Sequence, residues 1–363
     1  MARTQPRRNR LPATDRLEAG DRIAPFALPD PDGKLVNPLA DYLAGRPLLL
    51  VFECADSDGG ESYARELAAL RDQASAVQAH DALVLAITRR APEDNGRLLQ
   101  RETLPFTILS DPEAKVYATC GLDPATLDRT TVTLVLDANM RVVELLDGGG
   151  ATRAEEIAQA LASMTERNVP LPLGDHPPVL VLPRVLTPED CAELIRVWQR
   201  PVRVWDSEGL TNRGYHREKG DFKVRNRDYG RVVQLVVRDA ELQNYLDAKL
   251  QRRVMSEISK VFQTKVSRRE EYRIACYKAK EKGALGPHRD NPNQETRHRR
   301  FTISVTLNAG AFEGGALRFS EYSNQGYLVP SGTAIVWSCS LLHEVLPVTS
   351  GERFILGTHL FGN

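Results

Sequence analysis

Residues 272–308 read YRIACYKAKEKGALGPHRDNPNQETRHRRFTISVTLN, and this stretch decides how the C-terminal half of the chain folds. Apolar runs at both ends flank a turn-rich middle that contains His288 and Asp290. From residue 272 onward, short apolar runs alternate with Gly-rich turns, a pattern typical of successive β-strands. The pattern predicts a double-stranded antiparallel barrel, the jelly-roll form of a β-helix.

The polar residues of this half predict a metal site. His288 and Asp290 are two positions apart on a predicted strand, so their side chains point to the same side, and His343 comes from a distant strand. Two imidazoles and one carboxylate on one face of iron(II) leave adjacent positions open for a chelating oxoacid and dioxygen. Arg353, ahead of an apolar run, suits a carboxylate because a guanidinium can grip it through two parallel hydrogen bonds. The residues therefore predict an iron-dependent oxygenase centre, with no catalytic side chain beyond the metal.

Composition sets limits on the rest. The chain has 363 residues, 48 basic and 48 acidic, so its formal charge of zero does not indicate attraction to nucleic acid or to an anionic membrane. No apolar run reaches the roughly 20 residues that span a bilayer, and residues 1–16 lack the apolar middle of a secretory signal. The five cysteines are scattered, as expected in a reducing compartment. We expect a cytoplasmic protein.

Four segments are predicted along the chain. Residues 1–20 form a basic, disordered tail; residues 21–165 form an α/β domain; residues 166–178 form a Pro-rich linker; and residues 179–363 form the oxygenase domain. In the α/β domain, strands at 48–53, 82–88, 131–137 and 141–146 and helices at 61–76 and 153–164 indicate a mainly parallel sheet covered on both faces. In the C-terminal domain, helices are expected from 188 to about 199 and around 241–262.

The C-terminal half resembles the prolyl 4-hydroxylase branch of the iron(II)/2-oxoglutarate dioxygenases over nearly all of 179–361. The matching text is ACY at 275–277, HRDNPN at 288–293, TLN at 306–308, GGALR at 314–318, WS at 337–338 and HEV at 343–345. The resemblance implies Fe(II) held by His288, Asp290 and His343. It further implies 2-oxoglutarate and dioxygen as co-substrates, with ascorbate as an additional cofactor.

Further roles follow from the same resemblance. Arg353 and Tyr277 would bind 2-oxoglutarate, and Thr306 stands where some relatives have a tyrosine that assists the arginine. Trp337 is expected in the wall of the pocket. The substrate would be a prolyl residue of a protein or peptide, hydroxylated with release of succinate and CO2, and residues 203–231 would form a mobile lid. We expect His216, His298 and His359 to be structural or solvent-facing.

Residues 20–164 resemble the peroxiredoxin group of the thioredoxin fold, which implies a thioredoxin-like α/β sandwich. The matching text is APFALPD at 24–30, FTILSDP at 106–112 and RTT at 129–131. Peroxiredoxins use a thiolate at a helix N-terminus. Counted from Phe52, the family's proline, threonine and cysteine positions hold Ala55, Asp58 and Glu61, so the nucleophile is missing although Arg129 remains. Cys54 and Cys120 are expected to be buried and without redox activity.

Two other functions remain open from the residues alone. One is a thiol peroxidase or redox sensor with an accessory C-terminal half, against which the missing cysteine at Glu61 counts. The other is a non-catalytic module that senses iron or 2-oxoglutarate, against which the intact set of His288, Asp290, His343 and Arg353 counts. The expected partner is a protein or peptide substrate, with no nucleic acid or membrane, and the N-terminal domain would position a partner, stabilise the oxygenase or form a homodimer.

Overall fold

The computed structural model describes residues 17–38, 45–53, 61–122, 131–148, 153–165, 176–199, 222–227 and 230–362. These residues form two compact units, one before and one after the gap at 166–175. Several predicted features lie outside the described residues: the tail over 1–16, most of the linker, most of the lid over 203–231, and His216.

The N-terminal unit contains seven strands and five helices among its described residues. The strands are β1 (Leu28–Pro29), β2 (Leu35–Val36), β3 (Leu48–Glu53), β4 (Leu83–Thr88), β5 (Thr107–Ser110), β6 (Thr131–Leu136) and β7 (Val142–Asp147). The helices are α1 (Glu61–Asp72), α2 (Ala74–Ala79), α3 (Pro92–Glu102), α4 (Lys115–Thr119) and α5 (Arg153–Thr165). The helix predicted over 61–76 is therefore two helices.

The main sheet of this unit has the order β5-β4-β3-β6-β7. The β3–β4 and β4–β5 pairs are parallel, whereas β3–β6 and β6–β7 are antiparallel. The prediction of a mainly parallel sheet was wrong, because the turn between Leu136 and Val142 is too short for a crossover and joins β6 and β7 as a hairpin. The order and the flanking helices are those of a thioredoxin-like α/β sandwich.

The central strand β3 explains why this sheet is covered on both faces. Leu50 and Phe52 pack into one apolar cluster while Leu49 and Val51 pack into another on the opposite side. All four side chains are fully buried. Burial of each contributes about 1.5–3 kcal/mol of hydrophobic free energy, so the run LLLVF can only be satisfied as the middle of a layered sheet.

The C-terminal unit is mostly β-structure. Its strands are β8 (Leu180–Leu182), β9 (Phe222–Arg227), β10 (Gly230–Val236), β11 (Arg268–Arg269), β12 (Arg273–Lys278), β13 (Leu285–His288), β14 (Phe301–Thr306), β15 (Phe312–Gly314), β16 (Leu317–Arg318), β17 (Gly326–Tyr327), β18 (Ala334–Ser338), β19 (His343–Val345) and β20 (Val348–Phe361). Its helices are α6 (Pro188–Gln199), α7 (Ala240–Leu250) and α8 (Ser256–Phe262), with the π-helical turn Gln251–Met255 joining the last two.

Two antiparallel sheets form the barrel expected from the sequence. The larger has the order β8-β18-β14-β20-β12-β10-β9, and the smaller has the order β13-β19-β16-β17. The outward face of the larger sheet packs with the helices into one apolar cluster that includes Leu246, Ile274 and Leu356. A second cluster, which includes Trp337 and Val345, contains residues of both sheets. Polar residues on the inner faces of the two sheets line a cavity.

Two contacts of Asp190 stabilise the helices of this unit. Thr187 caps α6, since its hydroxyl accepts from the backbone amide of Asp190 at 3.2 Å and the Asp190 carboxylate accepts from the amide of Thr187 at 2.9 Å. Lys249 of α7 is buried and lies 3.0 Å from the same carboxylate. Within the described ranges, no helix is long and apolar enough to cross a membrane.

Candidate metal centre

Register pairing of the two short strands brings the candidate ligands together. His288 ends β13 and pairs directly with His343 at the start of β19. Their ring centroids lie 4.3 Å apart. Asp290 stands two residues beyond the end of β13, so it is placed by a bend rather than by the strand itself. One ligand atom from each of the three side chains lies within 4.8 Å of the other two.

Backbone carbonyls orient both imidazoles. Nδ1 of His288 lies 2.8 Å from the carbonyl oxygen of Gly286, and Nδ1 of His343 lies 3.0 Å from that of Leu341. Because a carbonyl oxygen only accepts, each Nδ1 donates to its carbonyl, which leaves Nε2 as the ring nitrogen available to a metal. The Nε2 atoms lie 3.5 Å and 3.4 Å from the two oxygens of Asp290. Both histidines therefore present their free nitrogen to the carboxylate.

The charge states of the cluster suit a cation. Burial lowers the pKa of His343, so its imidazole is neutral and available as a ligand. Burial alone would raise the pKa of Asp290, but hydrogen bonding with His288 and His359 and the nearby imidazole of His343 hold that pKa well below its usual range. Thr302 also donates to Oδ2 of Asp290 at 2.6 Å. Asp290 is thus an ionised carboxylate with a fixed orientation.

A polar network beyond the two candidate ligand histidines also contacts Asp290. Nε2 of His359 lies 3.5 Å from Oδ1 of Asp290, and its Nδ1 lies 3.4 Å from Oε2 of Glu270. Arg299 donates to Glu270 at 2.5 and 2.8 Å and to the backbone carbonyl of Asp290 at 2.9 Å. Nε2 of His298 lies 3.0 Å from Oε1 of Glu270. One acidic residue therefore connects the side chain and the backbone of the ligand.

His359 was expected to be structural or solvent-facing, and the structure places it in the lining of the cavity, next to Asp290. Arg299 also belongs to this network through Glu270 and the backbone carbonyl of Asp290. A lone histidine near a chain end carries no sequence signal of such a role, because its partner Glu270 lies 89 positions earlier and only the pairing of the strands brings them together.

Arg353 projects into the same cavity from β20. It is 5% exposed, and its Nε and Nη1 have no hydrogen-bond partner among the described residues. Its guanidinium carbon lies 5.5 Å from the ring centroid of Tyr277 and 6.0 Å from that of Phe312. Burial lowers the pKa of Arg353, the direction expected when a cation is removed from water. A buried guanidinium with unsatisfied donors is fitted to receive an anion.

Gly315 leaves the room that Arg353 occupies. Its φ of +66° lies in the left-handed region, and a β-carbon at this position would stand 3.0 Å from Cδ of Arg353 and 2.9 Å from Cγ2 of Val348. The second glycine of the Gly314-Gly315 pair is therefore required by the packing of the arginine as well as by the backbone.

Of the other predicted site residues, some line the cavity and one does not. Tyr277 is buried, pairs with Arg353 in register, and lines the cavity. Trp337 also lines it and packs edge-on against His343, with ring centroids 5.0 Å apart. Thr306 is buried at the end of β14 but does not line the cavity, whereas Thr302 and Ser304 of that strand do. The structure thus brings Arg353 and Tyr277 to the metal cluster and leaves Thr306 outside the cavity wall.

The residues present fit iron(II). Two imidazoles and one carboxylate are the donor set of non-haem iron sites, and all three side chains line the same cavity. The unpartnered guanidinium of Arg353 in the same cavity fits the distal carboxylate of a dicarboxylate co-substrate. Together the two observations fit a metal and an oxoacid bound side by side.

In the N-terminal unit, Glu61 is exposed and opens α1, where the resemblance places a reactive thiol. Cys120 follows α4 as its C-cap and is buried, and burial raises the pKa of its thiol to about 12. Cys54, Ala55, Asp58 and Arg129 lie outside the described residues.

Comparisons with known proteins agree with this division. The model of the 2OG-Fe(II) oxygenase superfamily matches residues 272–360, and the model of the AhpC/TSA family matches residues 19–145. Peroxiredoxin Bcp of Escherichia coli K12 is 30% identical over 138 residues, which cover 36% of this chain and 86% of that protein. A PKHD-type hydroxylase of Synechococcus sp. strain JA-2-3B'a(2-13) is 38% identical over 87 residues, covering 22% of this chain and 38% of that protein.

Two solved structures are also similar. Peroxidoxin BcpB from Mycobacterium tuberculosis is 21% identical, covers 41% of this chain and 98% of its own, and has a TM-score of 0.37. The viral collagen prolyl hydroxylase of Paramecium bursaria Chlorella virus-1 is 18% identical, covers 53% and 99%, and has a TM-score of 0.37. The chain belongs to the AhpC/TSA peroxiredoxin family through its N-terminal unit, and residues 272–360 of its C-terminal unit match the model of the 2OG-Fe(II) oxygenase superfamily.

Proposed function

We propose that the C-terminal unit hydroxylates a prolyl residue of a protein or peptide, using iron(II), 2-oxoglutarate and dioxygen. One observation carries the proposal: the three convergent ligand atoms and the buried, unpartnered guanidinium of Arg353 face one cavity. A metal site alone would be compatible with many functions. A metal site beside an unsatisfied anion site fits the superfamily's pairing of iron with 2-oxoglutarate.

The roles of the residues follow from their contacts. His288, Asp290 and His343 would hold the metal through two Nε2 atoms and a carboxylate oxygen. Arg353 would hold the distal carboxylate of 2-oxoglutarate, with Tyr277 forming the adjacent wall. With these bound, the centre supplies the oxidising power to hydroxylate an unactivated C–H bond, with release of succinate and CO2. The chain itself orients the ligands and excludes water, because the inner faces around Arg353 are buried.

The prolyl substrate has narrower support. The segments at 275–277, 288–293, 314–318 and 343–345 resemble those of prolyl 4-hydroxylases, and a relative that matches 38% of its own length to this chain is named a hydroxylase. These segments contain the candidate metal ligands and residues near Arg353. Their resemblance therefore supports the type of reaction more directly than the identity of the substrate. Ascorbate is proposed as a reductant that sustains turnover.

The N-terminal unit is proposed to act without peroxidase chemistry, as a domain that positions a partner, pairs two copies, or stabilises the oxygenase. Glu61 stands at the expected thiol position, and the thiol of Cys120 is buried with a pKa raised to about 12. At neutral pH such a thiol supplies almost no thiolate. Peroxide consumption should therefore be absent. Consumption that Cys54→Ala or Cys120→Ala, tested separately, abolishes would overturn this proposal.

The test of the oxygenase uses the full chain without oxygen. Adding iron(II) and 2-oxoglutarate should produce a weak visible charge-transfer band, and admitting oxygen with prolyl peptides, with and without ascorbate, should produce succinate and a hydroxylated peptide. His343→Ala should abolish both the band and the succinate, whereas the matched control His80→Ala, in the N-terminal unit, should retain both. A folded protein that gives neither band nor succinate would refute the oxygenase; succinate without any hydroxylated prolyl peptide would refute the prolyl substrate.

A further inference from the structure

A polar row crosses the inner face of the larger sheet between the level of Arg353 and the level of the metal cluster. Gly357 of β20 pairs with Arg273 on one side and with Ser304 on the other. All three residues line the cavity. The next row toward Arg353 is apolar, formed by Ala275 and Ile355. The polar row is thus separated from the Arg353 site by one layer of apolar side chains.

Strand alternation makes Arg273 a second guanidinium of the cavity. Arg273, Ala275 and Tyr277 line the cavity, whereas the intervening Ile274 and Cys276 pack into the core behind the sheet. Tyr277 pairs with Arg353, so the backbone positions of the two cationic levels are four residues apart along β12, about 13 Å at the usual rise per residue. The two arginines therefore enter the cavity from different levels of the sheet.

Gly357 supplies space beside Arg273. Its φ does not lie in the left-handed region, and a β-carbon there would meet only Ile303 O at 3.6 Å and Ile355 Cδ1 at 3.9 Å, both ordinary contacts. Neither the backbone nor the packing requires glycine at this position. The missing side chain therefore enlarges the cavity between a guanidinium and the hydroxyl of Ser304, an arrangement of donors that suits an anion.

The acidic residue beside Arg273 is shared. Glu271 lies 3.8 Å from Arg273, the outer limit of an ion pair, and accepts a hydrogen bond from the exposed Arg238 at 2.8 Å. Two guanidinium groups therefore face this one carboxylate. Glu271 also lines the cavity and lies closer to Arg238 than to Arg273, so its negative charge is shared between two guanidinium groups.

We propose that Arg273, with Ser304 across the gap at Gly357, binds a carboxylate of the substrate, so that the enzyme acts on anionic prolyl peptides. This inference rests on the proposed prolyl hydroxylase function. The near carboxylate of 2-oxoglutarate is a weaker candidate for the position, because chelation of a divalent ion already neutralises it. The substrate carboxylate has two sources, the free C-terminus of a peptide that ends in proline or the side chain of an acidic neighbour.

The test measures binding of two peptide pairs to the oxygen-free complex with iron(II) and 2-oxoglutarate. One pair is a tripeptide ending in proline with a free carboxylate or an amide; the other is a terminally blocked peptide containing Pro-Glu or Pro-Gln. In one of the two pairs, the peptide with the carboxylate should bind about tenfold to a hundredfold more tightly than its neutral counterpart, because it gains a charged hydrogen bond. The pair that shows this difference identifies whether the carboxylate is the C-terminus or an acidic side chain. Equal binding within both pairs overturns the inference.

Variants separate the subsite from the rest of the cavity. Arg273→Met should remove the preference for the carboxylate, Arg273→Lys should restore part of it, and the matched control Arg97→Met, an exposed arginine of the N-terminal unit, should leave it intact. Gly357→Ala should weaken both members of the responding pair by filling the gap. A preference that survives Arg273→Met, or unchanged binding in Gly357→Ala, overturns the subsite.

Two further readouts keep the failures distinguishable. The affinity for 2-oxoglutarate, followed by the visible band, should be unchanged in Arg273→Met; a loss there as large as the loss for the peptide would assign Arg273 to the co-substrate and overturn the inference. Succinate formation without peptide reports on the oxygenase itself. If succinate forms but no peptide of either pair binds, the prolyl substrate and the subsite both fail while the oxygenase stands.

Discussion

Nε2 of His359 lies 3.5 Å from Oδ1 of Asp290, which places a third histidine against the carboxylate of the candidate metal centre. The same ring reaches Glu270 through Nδ1 at 3.4 Å. His359 belongs to the long strand β20, which also carries Arg353. A single strand thus positions both the residue that supports the metal ligand and the residue fitted to the co-substrate.

The first prediction concerns this support. Glu270→Gln removes the charge on which Arg299 and His359 converge, so Asp290 should lose orientation and metal affinity should fall about tenfold to a hundredfold. Calorimetric titration with cobalt(II) measures the affinity without requiring turnover. Glu113→Gln is the matched control, because it breaks an exposed pair with Lys115 in the N-terminal unit. Equal cobalt affinity in both variants would show that the network does not act on Asp290.

The second prediction separates function from stability at Arg353. Arg353→Met should weaken 2-oxoglutarate binding by about tenfold or more, since a charged hydrogen bond is lost. The unliganded protein should be no less stable than the wild type, because an unpartnered buried cation is replaced by an apolar side chain. Titration of the visible band gives the first quantity and thermal unfolding gives the second. A large drop in melting temperature without ligand would mean that the guanidinium has a structural partner.

The third prediction uses the space beside that arginine. In Gly315→Ala, the added methyl group would crowd Cδ of Arg353 and force an alanine to adopt φ +66°. We expect a loss of about 1–3 kcal/mol in unfolding free energy and weaker 2-oxoglutarate binding. Gly310→Ala is the control for backbone strain alone, since its φ is +85° and nothing lies within 4 Å of its β-carbon position. If both variants bind 2-oxoglutarate equally well, the crowding argument is wrong.

The fourth prediction concerns pH. Burial raises the pKa of the thiols of Cys120, Cys276 and Cys339 to about 12 and that of Cys191 to about 11. Their stability contribution is complete below the unfolded thiol pKa of about 8.5, and it is lost as pH rises because the unfolded thiols ionise first. The urea concentration at the midpoint of unfolding should therefore decrease as the pH is raised from 8 to 10.

Reactivity gives an independent measure of the same burial. In the folded protein at pH 8, these four thiols should resist a thiol-specific reagent and react only after unfolding. A cysteine among them that reacts rapidly under native conditions would refute the buried assignment for that residue. Cys120→Ala should reduce the slope of stability against pH above the unfolded pKa, which separates this thiol from the other three.

Much of the fold could be predicted from local pattern. The run at 48–53 has no polar face, so it predicted a strand buried on both sides, and the Thr187-Pro188 start of α6 followed from capping chemistry. The pairing directions in the N-terminal sheet could not be predicted in the same way. They depend on whether a connection has room to cross over, and only two of the four strand pairs, β3–β4 and β4–β5, are parallel.

The sequence by itself predicted the candidate metal triplet, the arginine for an oxoacid and the two-part organisation, because short motifs of characteristic residue types occur in the expected order along the chain. Only the tertiary structure decided that Thr306 lies outside the cavity wall, that His359 and Glu270 support Asp290, and that Arg273 faces the gap at Gly357. Each of these depends on which strands pair and in which register, and a shift of one residue would turn every one of those side chains to the opposite face of the sheet.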